Sequence, residues 1–297
     1  MNKEIWESVL RPKVVGIFDL DGVLVPQRQV RIFQDLSVLL RATCMLKFVA
    51  SGRPLGACWE VGSQISARGV FAENGAWYQM SDDKPKSAVL SNDIPRFREA
   101  IGLEMPSGVG SPYARIMLGG ECSPILVESG KQEILTLGTV SMREQGIECH
   151  LPDCRWDSKE LRDLTLDVIK RQGLNIGVYG PYEDHNIDYQ PMDLKGVPYD
   201  KRIIPDIIRE HFPWVEKIIA FVDGPNDVGL AGQPGVLPIT FENGCDEVKK
   251  VVKENGGIVF DGLGYVDGCI NAVQHVRTEI MSLGPFDLEL AKKRRGW

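Results

Sequence analysis

Asp19 and Asp21 are the residues whose type and spacing speak most directly of chemistry. They stand two apart at the end of a short apolar run, Val14 to Phe18. Residues two apart in an extended chain point to the same side, so both carboxylates can reach one spot. A continuous apolar run of this length is the pattern of a strand buried on both faces. A carboxylate set directly after such a run is costly unless it is paired, hydrogen-bonded or bound to a metal. The bland alternative is that Asp21-Gly22 is an ordinary turn and Asp19 only ends a strand. Two more polar clusters follow apolar runs in the same way. Ser51-Gly52-Arg53-Pro54 comes after Leu46 to Ala50, and Asp223-Gly224-Pro225-Asn226-Asp227 comes after Lys217 to Val222. Each taken singly reads as a helix cap or a turn. Three polar turns after three buried runs are poorly explained as turns alone, and the carboxyl ends of parallel strands are where open α/β sheets bind ligands.

The elements that would hold these clusters can be read from hydrophobic periodicity. Ile32, Leu36, Leu39 and Leu40 recur at helical spacing, which predicts an amphipathic helix near Val30 to Ala42. A second helix is expected over Gly56 to Arg68, and Val70-Phe71 reads as a short strand leading into Glu73-Asn74-Gly75-Ala76. From about Ser81 the texture changes. Asp82-Asp83-Lys84-Pro85-Lys86 is polar, as a linker would be. Tyr113 to Leu118, Pro124 to Glu128, Glu133 to Val140, Asn175 to Tyr179 and His185 to Tyr189 then read as strands. Ser158 to Arg171 reads as a helix capped by Ser158. Strands with few helices predict an α+β insert rather than more of a parallel core. The chain then returns through Asp193 to Arg202 into a helix faced by Ile203, Ile204, Ile207 and Ile208. Leu237 to Phe241 is a final core strand, Asp246 to Lys253 a short helix, Gly257 to Phe260 an edge strand and Asn271 to Leu283 a closing helix.

The 297 residues suffice for one large or two ordinary domains. The formal net charge of −7 argues against a nucleic-acid surface spread over the whole protein. No run approaches transmembrane length, and Met1 to Leu10 lacks the apolar core of a signal peptide. Seven cysteines without regular spacing point to reduced thiols and a cytoplasmic protein. Cys149, His150 and Cys154 lie close in sequence, but three ligands without a second pair are a weak metal signal. Lys292-Lys293-Arg294-Arg295 reads as a solvated tail.

Phe18-Asp19-Leu20-Asp21-Gly22-Val23-Leu24 resembles the first motif of the haloacid dehalogenase-like hydrolases in its phosphatase form, where the second aspartate separates phosphatases and phosphomutases from dehalogenases. Ser51 matches the second motif, a hydroxyl that binds a phosphoryl oxygen. Ser51-Gly52-Arg53-Pro54 is similar to the wording of the branch that carries a C2-type cap, as in Cof-like sugar phosphatases. Within it Arg53 stands open between touching phosphate and bracing the loop. Glu73-Asn74-Gly75-Ala76 resembles a turn of the same branch, which makes Asn74 a candidate substrate contact; Asn-Gly is also a hairpin signal. The third motif is a lysine at a helix start. Lys195-Gly196 has the usual wording, whereas Lys201 has the better register to helix and strand and is preferred, with Arg202 in place of the usual glycine. Asp223-Gly224-Pro225-Asn226-Asp227 resembles the fourth motif, with Val222 where glycine is usual.

The resemblance implies an α/β fold: a Rossmann-like, three-layer parallel-sheet core of residues 1–81 and 193–297, with an inserted α+β cap of the C2 type over 82–192. It implies Asp19 as nucleophile through an aspartyl-phosphate, Asp21 as general acid and base, and Ser51 and Lys201 as further catalytic groups. Gly52, Arg53, Asn74 and Asn226 join Ser51 and Lys201 in binding substrate, with Asn226 orienting Ser51 or Lys201. Mg²⁺ is the implied cofactor, held by Asp19, the Asp21 carbonyl and Asp223, with Asp227 as ligand or water acceptor. The expected partner is a small phosphorylated metabolite, a sugar phosphate first, with neither nucleic acid nor membrane. A phosphomutase on the same core and a non-catalytic module of this fold are the alternatives. Tyr182, His185 and Arg115 are cap residues that could face the site.

Overall fold

A computed structural model of the chain describes residues 12–26, 29–105, 113–128, 130–144, 147–151, 154–181, 186–260 and 265–280. Its strands, in chain order, are β1 (Val14–Phe18), β2 (Leu46–Ala50), β3 (Gly69–Ala72), β4 (Trp77–Met80), β5 (Lys86–Ser87), β6 (Tyr113–Leu118), β7 (Glu121–Val127), β8 (Leu135–Gly138), β9 (Ser141–Glu144), β10 (Ile147–His150), β11 (Ile176–Tyr179), β12 (Asn186–Pro191), β13 (Lys217–Phe221), β14 (Val236–Phe241) and β15 (Ile258–Phe260). Eight of them form one sheet in the order β15-β14-β13-β1-β2-β3-β4-β5. β1 is central and pairs in parallel with both β13 and β2. The chain winds outward from β1 in both directions, so the β1–β13 pair is the point where strand order reverses. That is the place at which a doubly wound sheet opens a crevice beyond its carboxyl ends.

The continuous apolar runs are explained by helices on both faces. Along β1, Val14 and Phe18 enter one core and Val15 and Ile17 enter the other, as the two-residue period requires. The first core is closed by the helices Gln34–Ala42, Leu55–Gln64 and Tyr265–His275, through Leu36, Leu40, Cys58, Val61, Ala272 and Val273. The second is closed by Ile204–His211, Val228–Ala231 and Asp246–Glu254, through Ile204, Ile208, Leu230, Val248 and Val252. This is the expected three-layer α/β arrangement.

A second sheet, in the order β11-β12-β8-β7-β6, is antiparallel throughout. The helices Asp93–Ala100 and Ser158–Gln172 pack on one of its faces, through Phe97, Leu161 and Val168 among others. It is thus an α+β unit inserted between β5 and β13. β9 and β10 pair as a separate hairpin.

Several elements differ from the sequence reading. The helix near residue 30 starts only at Gln34, and the one after Pro54 stops at Gln64. Asp157, not Ser158, caps the long insert helix: its carboxylate accepts from the Glu160 N–H at 2.8 Å and Glu160 answers at 3.1 Å, a reciprocal capping box. β4 and β5 extend the large sheet past Ser81 as an antiparallel edge, because the chain turns back at Glu73–Gly75 and pairs β4 with β3. The strand expected to run to Val140 ends at Gly138, and the chain continues into the β9–β10 hairpin. The closing helix begins earlier, at Tyr265. The N-terminal arm, Tyr182, His185 and the basic tail lie outside the described residues.

Phe18 and Phe221 stack across the central strand pair, with ring centroids 4.3 Å apart and planes 8° from parallel. Both are fully buried. Phe18→Ala should therefore lower unfolding free energy by about 3–5 kcal/mol, the usual cost of emptying an aromatic site, read from urea denaturation midpoints. A loss below about 1 kcal/mol would show that the pair is not a core contact.

Candidate active site

The three polar clusters do converge. Asp19 follows β1, and its N–H donates to the Phe221 carbonyl at 3.0 Å, tying the end of β1 to the end of β13. Asp223 to Asp227 follow β13. Lys201 opens the short 3₁₀ turn Lys201–Ile203 that precedes the helix at Ile204, and Asp200 caps that turn by accepting the Arg202 N–H at 2.9 Å. From there the lysine reaches inward. Its ammonium donates to Asp19 Oδ1 and to Asp227 Oδ1, each at 2.6 Å, and its side chain is fully buried. Lys195, the alternative, is exposed. The two departures from the family wording also have local reasons. Arg202 folds back onto its neighbour Asp200 at 2.6 Å, and Val222 is a fully buried member of the second core.

Asp227 is committed on both oxygens: Oδ2 accepts the N–H groups of Asp223 at 3.2 Å and Gly224 at 3.0 Å. It braces the loop and holds the lysine. Asp19, Asp223 and Asp227 nevertheless bring carboxylate oxygens within 4.8 Å of one another, the one such grouping among the described residues. Three carboxylates share a single ammonium. Asp223 Oδ1 is buried and has no hydrogen-bond partner among the described residues. Excess negative charge and an orphaned buried oxygen are what a bound cation would relieve, and an all-oxygen donor set suits Mg²⁺. Burial pushes the Asp19 carboxyl up to about 7 against the pull of Lys201, with Asp227 and Asp21 adding to the rise. Burial, then the charges of Asp19 and Asp227, pushes Asp223 up to about 9.

Gly22 is required twice over. Its φ is +80°, and a Cβ there would lie 1.9 Å from Asp223 Oδ2. Asn243 closes the same corner, donating to the Gly22 carbonyl at 3.0 Å and to Asp223 Oδ2 at 3.1 Å. Asn243 was not singled out by sequence; the Glu242-Asn243-Gly244 turn after a core strand was the available signal.

Asp21 stands apart from the Asp19–Asp223–Asp227 group. Arg53 grips it with a two-pronged fork, Nε to Oδ2 at 2.8 Å and Nη2 to Oδ1 at 2.5 Å. Arg53 also donates to the Gln29 carbonyl at 2.5 Å, so it ties the loop after β2 to the chain after β1. Ser51 is buried, and its hydroxyl accepts the Arg53 N–H at 3.2 Å. Asn74 meets the same loop, donating its N–H to the Ser51 carbonyl at 2.9 Å. A Cβ at Gly52 would come within 3.2 Å of the Asn74 oxygen. Asn226 donates to that oxygen at 3.2 Å, so its partner is Asn74 rather than Ser51 or Lys201. Arg115 is exposed on the edge strand β6. Cys154 lies 3.9 Å from the Ser123 hydroxyl.

No family model matches the sequence, and no curated protein matches it. Solved structures do. The chain has the fold of the haloacid dehalogenase-like hydrolases, as the motifs implied. One such structure, a haloacid dehalogenase-like hydrolase from Bacteroides thetaiotaomicron, aligns over 89% of this chain and 99% of its own with a TM-score of 0.59 and 14% identity. A sugar phosphatase of subclass IIB of the superfamily aligns over 89% and 99% with a TM-score of 0.55 and 17% identity. A phosphatase of the superfamily from Bacteroides thetaiotaomicron aligns over 90% and 95% with a TM-score of 0.56 and 14% identity. No helix among the described residues is long and apolar enough to cross a membrane.

Carboxyls raised in the folded state bind protons more tightly there than in the unfolded chain. Their stabilising share is complete below the ordinary 3.8 and is lost as pH rises through about 7 for Asp19 and about 9 for Asp223. In chelator, the melting temperature should therefore fall from about pH 4 upward, with the Asp19 share lost by about 7 and Asp223 alone extending the fall to about 9, and Mg²⁺ should restore it most at the upper end. Asp223→Asn should flatten the slope. A melting temperature that holds level in chelator across that window would contradict the charge balance described. Gly22→Ala should weaken both stability and the Mg²⁺ response, by about 1 kcal/mol or more for the backbone strain alone.

Proposed function

We propose that the protein is a Mg²⁺-dependent phosphatase that hydrolyses a small phosphorylated metabolite, with a sugar phosphate as the first candidate. The observation that carries this reading is the buried Lys201 ammonium joining Asp19 to Asp227, with Asp223 beside them, at the reversal point of the sheet. A carboxylate held by a lysine at the end of a central strand is placed to attack phosphorus. The fold shared with a sugar phosphatase supports the substrate class.

On this reading Asp19 forms a bond to phosphorus while the ester oxygen leaves. Asp21 gives that oxygen its proton, then takes a proton from the water that cleaves the aspartyl-phosphate and releases inorganic phosphate. Arg53 fixes where Asp21 points through its fork. Lys201 offsets the charge gathering on Asp19 and the phosphoryl oxygens, while the Ser51 hydroxyl and the Gly52 backbone receive the phosphoryl group. Asn74 and Asn226 hold the far side of that loop. A cation held by Asp19 and Asp223, with the Asp21 carbonyl, would supply charge neutralisation for the phosphate; Asp227 keeps its bracing bonds. The insert, residues 82–192, acts as the cap that excludes water and selects the leaving group. β5 lies on the cap side of that division by number and on the core side by hydrogen bonding. Its seven irregularly spaced cysteines support a cytoplasmic enzyme on this reading, acting on a small molecule.

Inorganic phosphate release from p-nitrophenyl phosphate and a panel of sugar phosphates, with Mg²⁺ and with chelator, tests the reading. Turnover should need Mg²⁺, and Asp19→Asn, checked for folding, should lower kcat by at least about 10³-fold, as loss of a nucleophile does. Absence of phosphate release in the folded, Mg²⁺-loaded wild type would sink the phosphatase, and absence of positional isomerisation of the sugar phosphates with a bisphosphate activator would sink the mutase.

A further inference from the structure

Glu73 has no place in the chemistry just described, yet it is among the most heavily engaged side chains in the molecule. It follows β3 directly and is fully buried. Its carboxylate does not turn toward Asp19 or Lys201. It crosses to the insert and accepts three consecutive backbone N–H groups: Gln132 at 2.8 Å on one oxygen, Glu133 at 2.7 Å and Ile134 at 2.8 Å on the other. Carbonyls of the same turn are held from the opposite side. Arg98, on the insert helix Asp93–Ala100, donates to the Lys131 carbonyl at 3.1 Å and the Ile134 carbonyl at 3.5 Å. The turn between β7 and β8 is thus gripped by its N–H groups from the core and by its carbonyls from the insert.

Glu73 is equally bound to the phosphate loop. Its N–H donates to the Arg53 carbonyl at 3.1 Å, and the next N–H, of Asn74, donates to the Ser51 carbonyl. Gly130, just ahead of the gripped turn, lies over the same loop: a side chain there would stand 3.3 Å from Pro54 Cβ. Glu73 and Asn74 hold φ of +50° and +56°, a left-handed conformation that side chains rarely adopt. Such strain persists only where the surroundings over-determine it. One residue therefore joins the insert turn to the loop whose Arg53 fixes Asp21.

We propose that Glu73 is a positioning residue that seats the cap on the phosphate loop and, through Arg53, sets Asp21 for protonation of the leaving group; the second half of this rests on the phosphatase reading. A carboxylate is needed because three converging N–H groups require acceptors on both oxygens. A glutamine would offer one oxygen and aim its own hydrogens at the remaining donor.

The test uses the full chain with Glu73→Gln and Glu73→Asp, the latter keeping the charge but withdrawing it by one methylene. Amide hydrogen exchange without substrate reads the seating. Both variants should speed exchange at Gln132, Glu133 and Ile134 by about tenfold or more while amides of β1 and β13 keep their protection. Unchanged exchange at those three amides in either folded variant overturns the proposal. Kinetics reads the coupling to Asp21. An alkyl phosphate needs its leaving group protonated, whereas p-nitrophenyl phosphate needs little help. Turnover of a sugar phosphate should fall on the order of 10- to 100-fold further than that of p-nitrophenyl phosphate. Equal losses on both substrates overturn the coupling, since a general loss of structure would not distinguish leaving groups. A wild type without turnover overturns the phosphatase reading and the coupling with it, while the exchange measurement still decides whether Glu73 seats the insert.

Discussion

A single buried ammonium group organises this protein. Lys201 is enclosed with no solvent contact, and an isolated charge in that position would be untenable. It is tolerated because two carboxylates meet it at hydrogen-bond distance, one from the end of β1 and one from the loop after β13. Removing the lysine would leave two buried carboxylates facing each other without a counter-ion, which is far more damaging than the pairs are stabilising. The cluster therefore constrains everything around it: the parallel β1–β13 pair, the 3₁₀ turn that launches the lysine, and the glycine whose absent side chain makes room for Asp223. The third carboxylate, Asp223, adds charge that the one ammonium does not balance, and a cation is what the proposed reading sets against it.

Much of this was legible in the sequence because parallel sheets write themselves plainly. Buried strands are continuous apolar runs, and their loops gather at one end, so Asp19, Ser51 and Asp223 to Asp227 could be placed together without knowing any side-chain direction. Lys201 was preferred over Lys195 on a separate ground, helix register, and it is the lysine whose ammonium meets Asp19. The edges of the sheet were harder to see. β4 and β5 are short, half-exposed and antiparallel, and the Asn74-Gly75 hairpin signal was present but carried no strand after it that periodicity could certify. The hairpin of β9 and β10 was hidden by four-residue strands with no apolar alternation.

Within the site, what escaped the sequence was partnership. The Arg53 fork on Asp21 spans 32 residues and the Asn226 bond to Asn74 spans 152. Neither leaves a local trace. Glu73 is the sharper case. It shows the same signal as Asp19, a carboxylate immediately after a buried run, and the same rule that such a group must be paired applies to it. Its partners are backbone N–H groups about 60 residues away. Because any residue but proline supplies such a donor, no residue type in that turn marks it.

The ion cluster also dictates an order of assembly. Lys201 and Asp19 are separated by 182 residues, and the central strand pair joins Val14 to Lys217. The middle of the large sheet thus cannot form during synthesis until the whole insert has emerged. The insert pairs its strands mostly with near neighbours, as in β6 with β7, and contacts of short sequence range form quickly. An N-terminal segment carrying β1, β2 and β3 must wait with a bare apolar edge on β1, exposed to pairing with other chains, until β13 arrives to cover it. The two acids after β1 and the glycine behind them then serve a newly made chain in another way: they put charge and a break at the end of its most aggregation-prone strand.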